Sequence, residues 1–354
     1  MDTEIIKIHP GEGPVSEEDD RKLQAAGEIL KRGGLVAFPT ETVYGLGGDA
    51  LNPTSSQKIY AAKGRPSDNP LIVHIYRFED IGKITSKVPE EAKKIADAFW
   101  PGPLTMILPK SDAVPRETTG GLDTVAIRMP SHPAAQRLIK YSGGYIAAPS
   151  ANTSGKPSPT VAKYVVEDMM GRIDAIIDGG EVGIGLESTI IDLTVTPPQI
   201  LRPGYITQEK LSEVLETVDT DTTILRADSG QAPKAPGMKY RHYAPKGELT
   251  IVEGTLGQVR EYINRAAAAD HTAGEKTGII GTEEMLSGYI ADVVKSVGSR
   301  KDEDSIARHL YTILREFDDE GVTKIYSEGF STEGFGQAIM NRLLKAAGHK
   351  VVKL

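Results

Sequence analysis

The chain has 354 residues, 39% of them apolar and 25% charged, with a net charge of −8 and no cysteine. That length accommodates two globular domains of about 100–200 residues each, and the acidic balance disfavours broad non-specific nucleic-acid binding, direct tRNA binding included. Absence of cysteine excludes disulfides, zinc–thiolate sites and cysteine nucleophiles and suits the cytosol, and no run reaches the ~18–20 apolar residues of a membrane span.

The N-terminus, Met1-Asp-Thr-Glu-Ile5, lacks the basic region and apolar core of a signal peptide. Residues 17–32 read as a helix with Leu23, Ala26, Ile29 and Leu30 on one stripe, ended by Gly33-Gly34. Two β-rich apolar runs follow, Leu35–Phe38 and Leu71–Ile75, each bounded by Pro or Gly. Between them lie Thr40, Thr42, a Gly-rich turn at 45–48, a short helix Thr54–Ala62, and then Lys63, Arg65 and Asn69. Gly64, Pro66 and Pro70 stiffen that loop, so that two cations point at one place. A solvated basic loop is the bland reading, and a phosphate or carboxylate site the sharper one.

Pro89–Trp100 reads as a helix, Leu104–Leu108 and Val125–Met129 as strands, His132–Tyr141 as a helix and Tyr145–Ala148 as a strand. A polar turn at 149–155, a helix Thr160–Met170, strands Ala175–Ile177 and Thr189–Leu193, Leu201-Arg-Pro-Gly204 and a helix at 207–216 complete this part. The pattern predicts a mixed, twisted α/β sheet with polar loops gathered on one side. Residues 228–247, rich in Pro and Gly and carrying Lys234, Lys239, Arg241, His242 and Lys246, read as a basic linker, either a plain spacer or one that also touches ligand. Strands at 249–252, 278–280, 292–297 and 324–326 alternate with helices at 256–268, 305–317 and 335–347. That predicts a smaller, Rossmann-like parallel sheet. The resulting division is a catalytic domain over 1–227, the linker, and a C-terminal domain over 248–354.

Gly45-Leu-Gly-Gly-Asp-Ala50 fits the dinucleotide pattern G-x-G-x-x-A, but no helix opens on its second glycine. Walker A, H-E-x-x-H and G-x-S-x-G motifs are absent. His74 reads as a structural or a site histidine, and Arg128, with Thr124 on the same strand face, as a salt-bridge partner or an anion ligand. Ser150 and Asn152 alternate past a strand end. Taken together, Lys63, Arg65, Arg128 and Arg202 with Thr40, Thr42, Ser150, Ser158 and Ser188 describe a pocket for a polyanion beside a small polar ligand. Neither an activated nucleophile nor a carboxylate dyad stands out, so catalysis by positioning and charge neutralisation is expected.

Pro39-Thr-Glu-Thr-Val-Tyr-Gly-Leu-Gly47, Lys63-Gly-Arg-Pro66, Asn69-Pro-Leu71, Trp100-Pro-Gly-Pro-Leu-Thr105, Arg128-Met-Pro130, Ala148-Pro-Ser-Ala-Asn152, Ser154-Gly155, Glu187-Ser-Thr-Ile190 and Leu201-Arg-Pro-Gly204 occur in order, followed by Pro236-Gly-Met-Lys-Tyr-Arg-His-Tyr-Ala-Pro245. This set resembles the threonylcarbamoyl-AMP synthases, the YrdC-type enzymes in their long, two-domain form. The resemblance implies that L-threonine, bicarbonate and ATP, with magnesium, give threonylcarbamoyl-AMP and pyrophosphate. The product would pass to a separate transferase complex that modifies adenosine beside the tRNA anticodon. It further implies a K-x-R…S-x-N tetrad of Lys63, Arg65, Ser150 and Asn152. Thr42, His74, Arg128 and Ser188 match threonine-binding positions. Arg65, Asn69, Thr124, Ser150, Ser158 and Arg202 match nucleotide-binding ones, with Tyr240, or else Tyr243, reaching from the linker. A double-stranded-RNA or tRNA-binding module without chemistry is the competing class.

Overall fold

A computed structural model describes residues 2–9, 14–221, 235 and 242–354. By internal packing the chain forms two units, Met1–Ser154 with Ser158–Tyr240, and Gly155–Pro157 with Arg241–Leu354. Most of the 228–247 linker, Tyr240 included, lies outside the described residues.

The first unit is built on a mixed sheet whose strands, in chain order, are β1 (Glu4–Lys7), β2 (Val36–Phe38), β3 (Gly45–Asp49), β4 (Ile72–His74), β5 (Leu104–Pro109), β6 (Thr124–Arg128), β7 (Ile146–Ala147), β8 (Ala175–Asp178), β9 (Thr189–Asp192), β10 (Gln199–Arg202) and β11 (Asp219–Thr220). Their spatial order is β1-β8-β2-β3-β7-β4-β6-β5-β9-β10-β11. The β-branched runs expected to be buried are buried, Ile72–His74 and Thr189–Asp192 throughout. Helices cover them with apolar stripes. In Glu17–Lys31 the side chain of Ser16 accepts from Asp19 N, four acidic residues favour the first turn, and Leu23, Ala26 and Leu30 face the core.

The glycines at 45–48 do not form the expected turn. They belong to β3, which pairs antiparallel with β2 and β7. A Cβ on Gly47 would lie 2.8 Å from Ile146 Cγ2 and 3.0 Å from Phe38 Cε1, so the strand is glycine-rich because its neighbours leave no room for side chains.

The second unit is an all-parallel sheet of β12 (Glu248–Glu253), β13 (Thr277–Gly281), β14 (Val293–Ser296), β15 (Lys324–Glu328) and β16 (Val351–Lys353), in the order β14-β13-β15-β12-β16. Its helix Glu303–Asp319 buries Ile306, Leu310, Ile313, Leu314 and Phe317, the stripe expected from the sequence. Among the described residues no helix is long and apolar enough to cross a membrane.

Candidate active site

Strand register assembles the site. In the first unit, His74 at the end of β4 is the partner of Arg128 at the end of β6, Arg128 is the partner of Thr105 in β5, and Thr105 is the partner of Ile190 in β9. Four residues distant in sequence therefore lie in one row across the sheet, and Ser188 lies two residues before Ile190, just ahead of β9. Arg128 Nη1 donates to Thr42 Oγ1 (2.9 Å), and Thr42 shares its hydroxyl with Thr40 Oγ1 (2.9 Å). Ser188 Oγ exchanges a hydrogen bond with Thr105 Oγ1 (2.8 Å) and accepts one from Arg202 Nη2 (3.1 Å), while Arg202 Nε donates to Ser188 O (3.0 Å). Thr42, His74, Arg128, Ser188 and Arg202 are all buried.

Burial, and secondly the Arg128 charge, push the His74 pKa down to about 3. Its imidazole is thus neutral at ordinary pH, with Nδ1 3.1 Å from Ile72 O. A neutral ring beside a guanidinium leaves the cation's charge for another group.

The K-x-R loop forms where the helix Pro53–Lys63 ends on Gly64, whose φ of 61° is the left-handed conformation glycine adopts without a Cβ penalty. Lys63 turns inward and its Nζ donates to both Ser150 O and Asn152 O, at 2.5 Å each. Ser150 Oγ donates to Asn152 Oδ1 (2.5 Å), and Gly45 of β3 bridges to Ser150 through the backbone. Lys63 thus holds the S-x-N turn in place. Arg65 meets a different pair of carbonyls. Its Nη2 donates to Asn69 O (3.3 Å) and Pro70 O (3.1 Å). Asn69 Oδ1 is buried without a hydrogen-bond partner, a group ready for a ligand's donor.

Ser158 Oγ donates to Glu187 Oε1 (2.6 Å) next to Ser188. Thr124 opens β6 and is half-buried. Four extended residues, about 13 Å, separate it from Arg128 on the same face, a span that two adjacent ligands bridge and one amino acid does not. In the second unit, the ring of Tyr243 is buried and stacks on Tyr311 (5.1 Å between centroids).

Two site residues escaped the sequence reading as individuals, although both lie in quoted motifs. Thr105 is the hydrogen-bond partner of Ser188. Glu41, 2% exposed, forms an ion pair with Arg128 Nη2 at 2.7 Å. An acidic residue flanked by two threonines, directly after an apolar strand, was the available signal.

A family model described as Telomere recombination, the Sua5/YciO/YrdC domain, matches residues 28–204, and one described as Threonylcarbamoyl-AMP synthase, C-terminal domain, matches residues 206–348. A threonylcarbamoyl-AMP synthase of Pyrococcus abyssi is 49% identical over 95% of this chain and 97% of its own length. The chain belongs to the threonylcarbamoyl-AMP synthase family. The family's Bacillus subtilis member is 48% identical over 95% of both chains. A solved structure of P. abyssi Sua5 complexed with L-threonine matches with a TM-score of 0.93 and 47% identity, covering 99% of this chain and 100% of that one.

Proposed function

We propose that this protein is an L-threonylcarbamoyladenylate synthase, converting L-threonine, bicarbonate and ATP into threonylcarbamoyl-AMP and pyrophosphate. The observation that carries the reading is the buried row His74–Arg128–Thr105, flanked by Thr42 and Ser188, in a chain whose close structural relative holds L-threonine. A guanidinium suits the amino acid's carboxylate, and the hydroxyls of Thr42 or Ser188 suit its side-chain hydroxyl. Lys63, Arg65, Asn69, Ser150, Asn152, Ser158 and Arg202, with Thr124 and Tyr240, make up the nucleotide side.

The chemistry asks for little covalent participation by the protein. A neutral amine and the carbon of bicarbonate give a carbamate, whose oxygen must then face the α-phosphorus while pyrophosphate leaves. Burial protects the labile carbamate from water, and fixed cations offset developing charge. Lys63 serves this by fixing the backbone of 150–152, which keeps Ser150 and Asn152 at a constant distance from the nucleotide. Magnesium would enter on the triphosphate and lower the charge on the leaving group. Glu187, held by Ser158, is the carboxylate on that side suited to it. Among the described residues no three His, Asp or Glu side chains converge on one point, which fits an ion kept by phosphates and water.

We assign residues 1–227 to catalysis, 228–247 to a linker reaching the nucleotide and 248–354 to a C-terminal domain. The setting is cytoplasmic, and the product is handed to a separate tRNA-modifying transferase. A tRNA-binding module without chemistry has less support, because Lys63, Arg128 and Arg202 are buried and engaged instead of facing a polyanionic surface. Incubation with ATP, magnesium, bicarbonate and threonine, followed by mass spectrometry, tests the proposal. An adduct that requires both threonine and bicarbonate is expected, and its absence would end this reading.

A further inference from the structure

Glu41 sits where a carboxylate is costly. It is 2% exposed, neither Oε1 nor Oε2 makes a hydrogen bond among the described residues, and its ion-pair partner Arg128 is 4% exposed. The Arg128 side of the pair is equally unsatisfied, since Nε and Nη2 make no hydrogen bond although Nη2 lies 2.7 Å from Glu41 Oε1. The ion pair is therefore close but poorly aligned. Buried charges are ordinarily both paired and hydrogen-bonded, and four unsatisfied atoms on one pair call for an explanation.

An α-amino acid supplies it. Its carboxylate and ammonium are both carried by the α-carbon, so a guanidinium and a carboxylate side by side match the two charges of its head group. Seating a zwitterion replaces one misaligned pair by two aligned ones, with no net charge brought into the interior. Thr42 and Ser188 stand around the same Arg128 row for the remainder of threonine.

We propose that Glu41 is the acceptor for the α-ammonium group of threonine and the base that takes its proton before the carbamate forms. This rests on the synthase reading and adds a catalytic residue to it. The ammonium passes one proton to the Glu41 carboxylate, leaving a neutral amine and a carboxylic acid. The amine then forms its N–C bond to the bicarbonate carbon while one C–O bond breaks. Its second proton leaves with that oxygen as water, and the net product is the carbamate anion. The titratable groups beside Glu41 are Arg128 and His132, with His74 next to Arg128. Burial lowers the pKa of both histidines, so neither is the cation that Glu41 was built to meet.

The test compares threonine with its hydroxy-acid analogue, in which a hydroxyl replaces the α-amine. Calorimetry measures both ligands on the full chain and on Glu41→Gln. Threonine affinity is expected to fall tenfold or more, as for a lost charge-assisted hydrogen bond, while the analogue's affinity stays within about threefold. Turnover of Glu41→Gln at saturating threonine is expected about a hundredfold below wild type, recovering as rising pH supplies neutral amine from solution. Equal losses for both ligands would assign Glu41 the lesser role of orienting Arg128 and overturn the proposal, as would unchanged threonine binding. If Glu41→Gln does not fold, Glu41→Asp withdraws the carboxylate by one methylene. A selective loss of threonine affinity is again expected, and parallel losses again refute it. A wild-type protein that binds threonine in preference to the analogue yet makes no adduct would count against the synthase reading, not against ammonium recognition.

Discussion

Replacing Arg128 by methionine leaves the Glu41 carboxylate in the interior without its cation. Both side chains are at least 95% buried, with 4% and 2% residual exposure, and their charged atoms are 2.7 Å apart. Breaking such a pair from one side costs about 3–5 kcal/mol, whereas replacing both partners by apolar groups is neutral or stabilising by about 1–4 kcal/mol. Arg128→Met should therefore be strongly destabilised, and Arg128→Met/Glu41→Leu should recover to wild-type stability or above. With a urea slope of about 3 kcal/mol per molar, the single variant loses about 1–2 M in its midpoint. Trp100, the one tryptophan in the chain, is buried in the first unit, so its fluorescence reports unfolding there. Both variants should lack adduct formation. A double variant as unstable as Arg128→Met, or simple additivity of the two single changes, would show that the pair is not an isolated buried charge couple and refute the reasoning.

Lys63→Met removes the ammonium that donates to the carbonyls of both Ser150 and Asn152, and adduct formation should fall at least a hundredfold while Trp100 fluorescence shows a folded protein. Gly47→Ala places a Cβ 2.8 Å from Ile146 and 3.0 Å from Phe38, an overpacking cost of about 1–3 kcal/mol. It should lower the urea midpoint with little change in activity per folded molecule. His74 is neutral in the fold down to about pH 3, whereas an unfolded histidine takes a proton near its ordinary 6.5. Between these values the unfolded state binds more protons, so stability is retained above pH 6.5 and falls on acidification by up to about 1.4 kcal/mol per pH unit. The urea midpoint of His74→Gln should lack that part of the acid dependence.

The runs Leu71–Ile75, Leu104–Leu108 and Val125–Met129 were legible because β-branched and apolar residues bounded by Pro or Gly have few alternatives to a buried strand. Polar residues at the ends of those strands marked the site for the same reason: a sheet fixes where its loops emerge. The glycines of β3 look like a turn in the sequence because a strand without side chains has no alternation to display, and the crowding at Gly47 comes from Phe38 of β2 and Ile146 of β7. Strands β1 and β16 were missed for another reason. Each has only three or four residues and lies at a sheet edge, paired on one side with β8 and with β12 respectively. For Glu41 the local pattern marks an acid between two threonines but not its partner, because Arg128 lies far along the chain. Lys63 and Arg65 illustrate the opposite limit. Their loop is where the sequence puts it, but Lys63 meets carbonyls of the distant 149–155 turn, whose return onto β3 no local pattern encodes, while Arg65 meets those of its own loop.

The central claim is that threonine and ATP meet between the His74–Arg128–Thr105 row and the Lys63–Ser150–Asn152 turn. A crystal structure of this protein with L-threonine and a non-hydrolysable ATP analogue tests it most directly. The threonine carboxylate is expected on the Arg128 guanidinium, its hydroxyl at Thr42 or Ser188, and the α-phosphate on the side of Ser150 and Asn152. Threonine seated away from Arg128, or a triphosphate occupying the Arg128 row, would contradict the account.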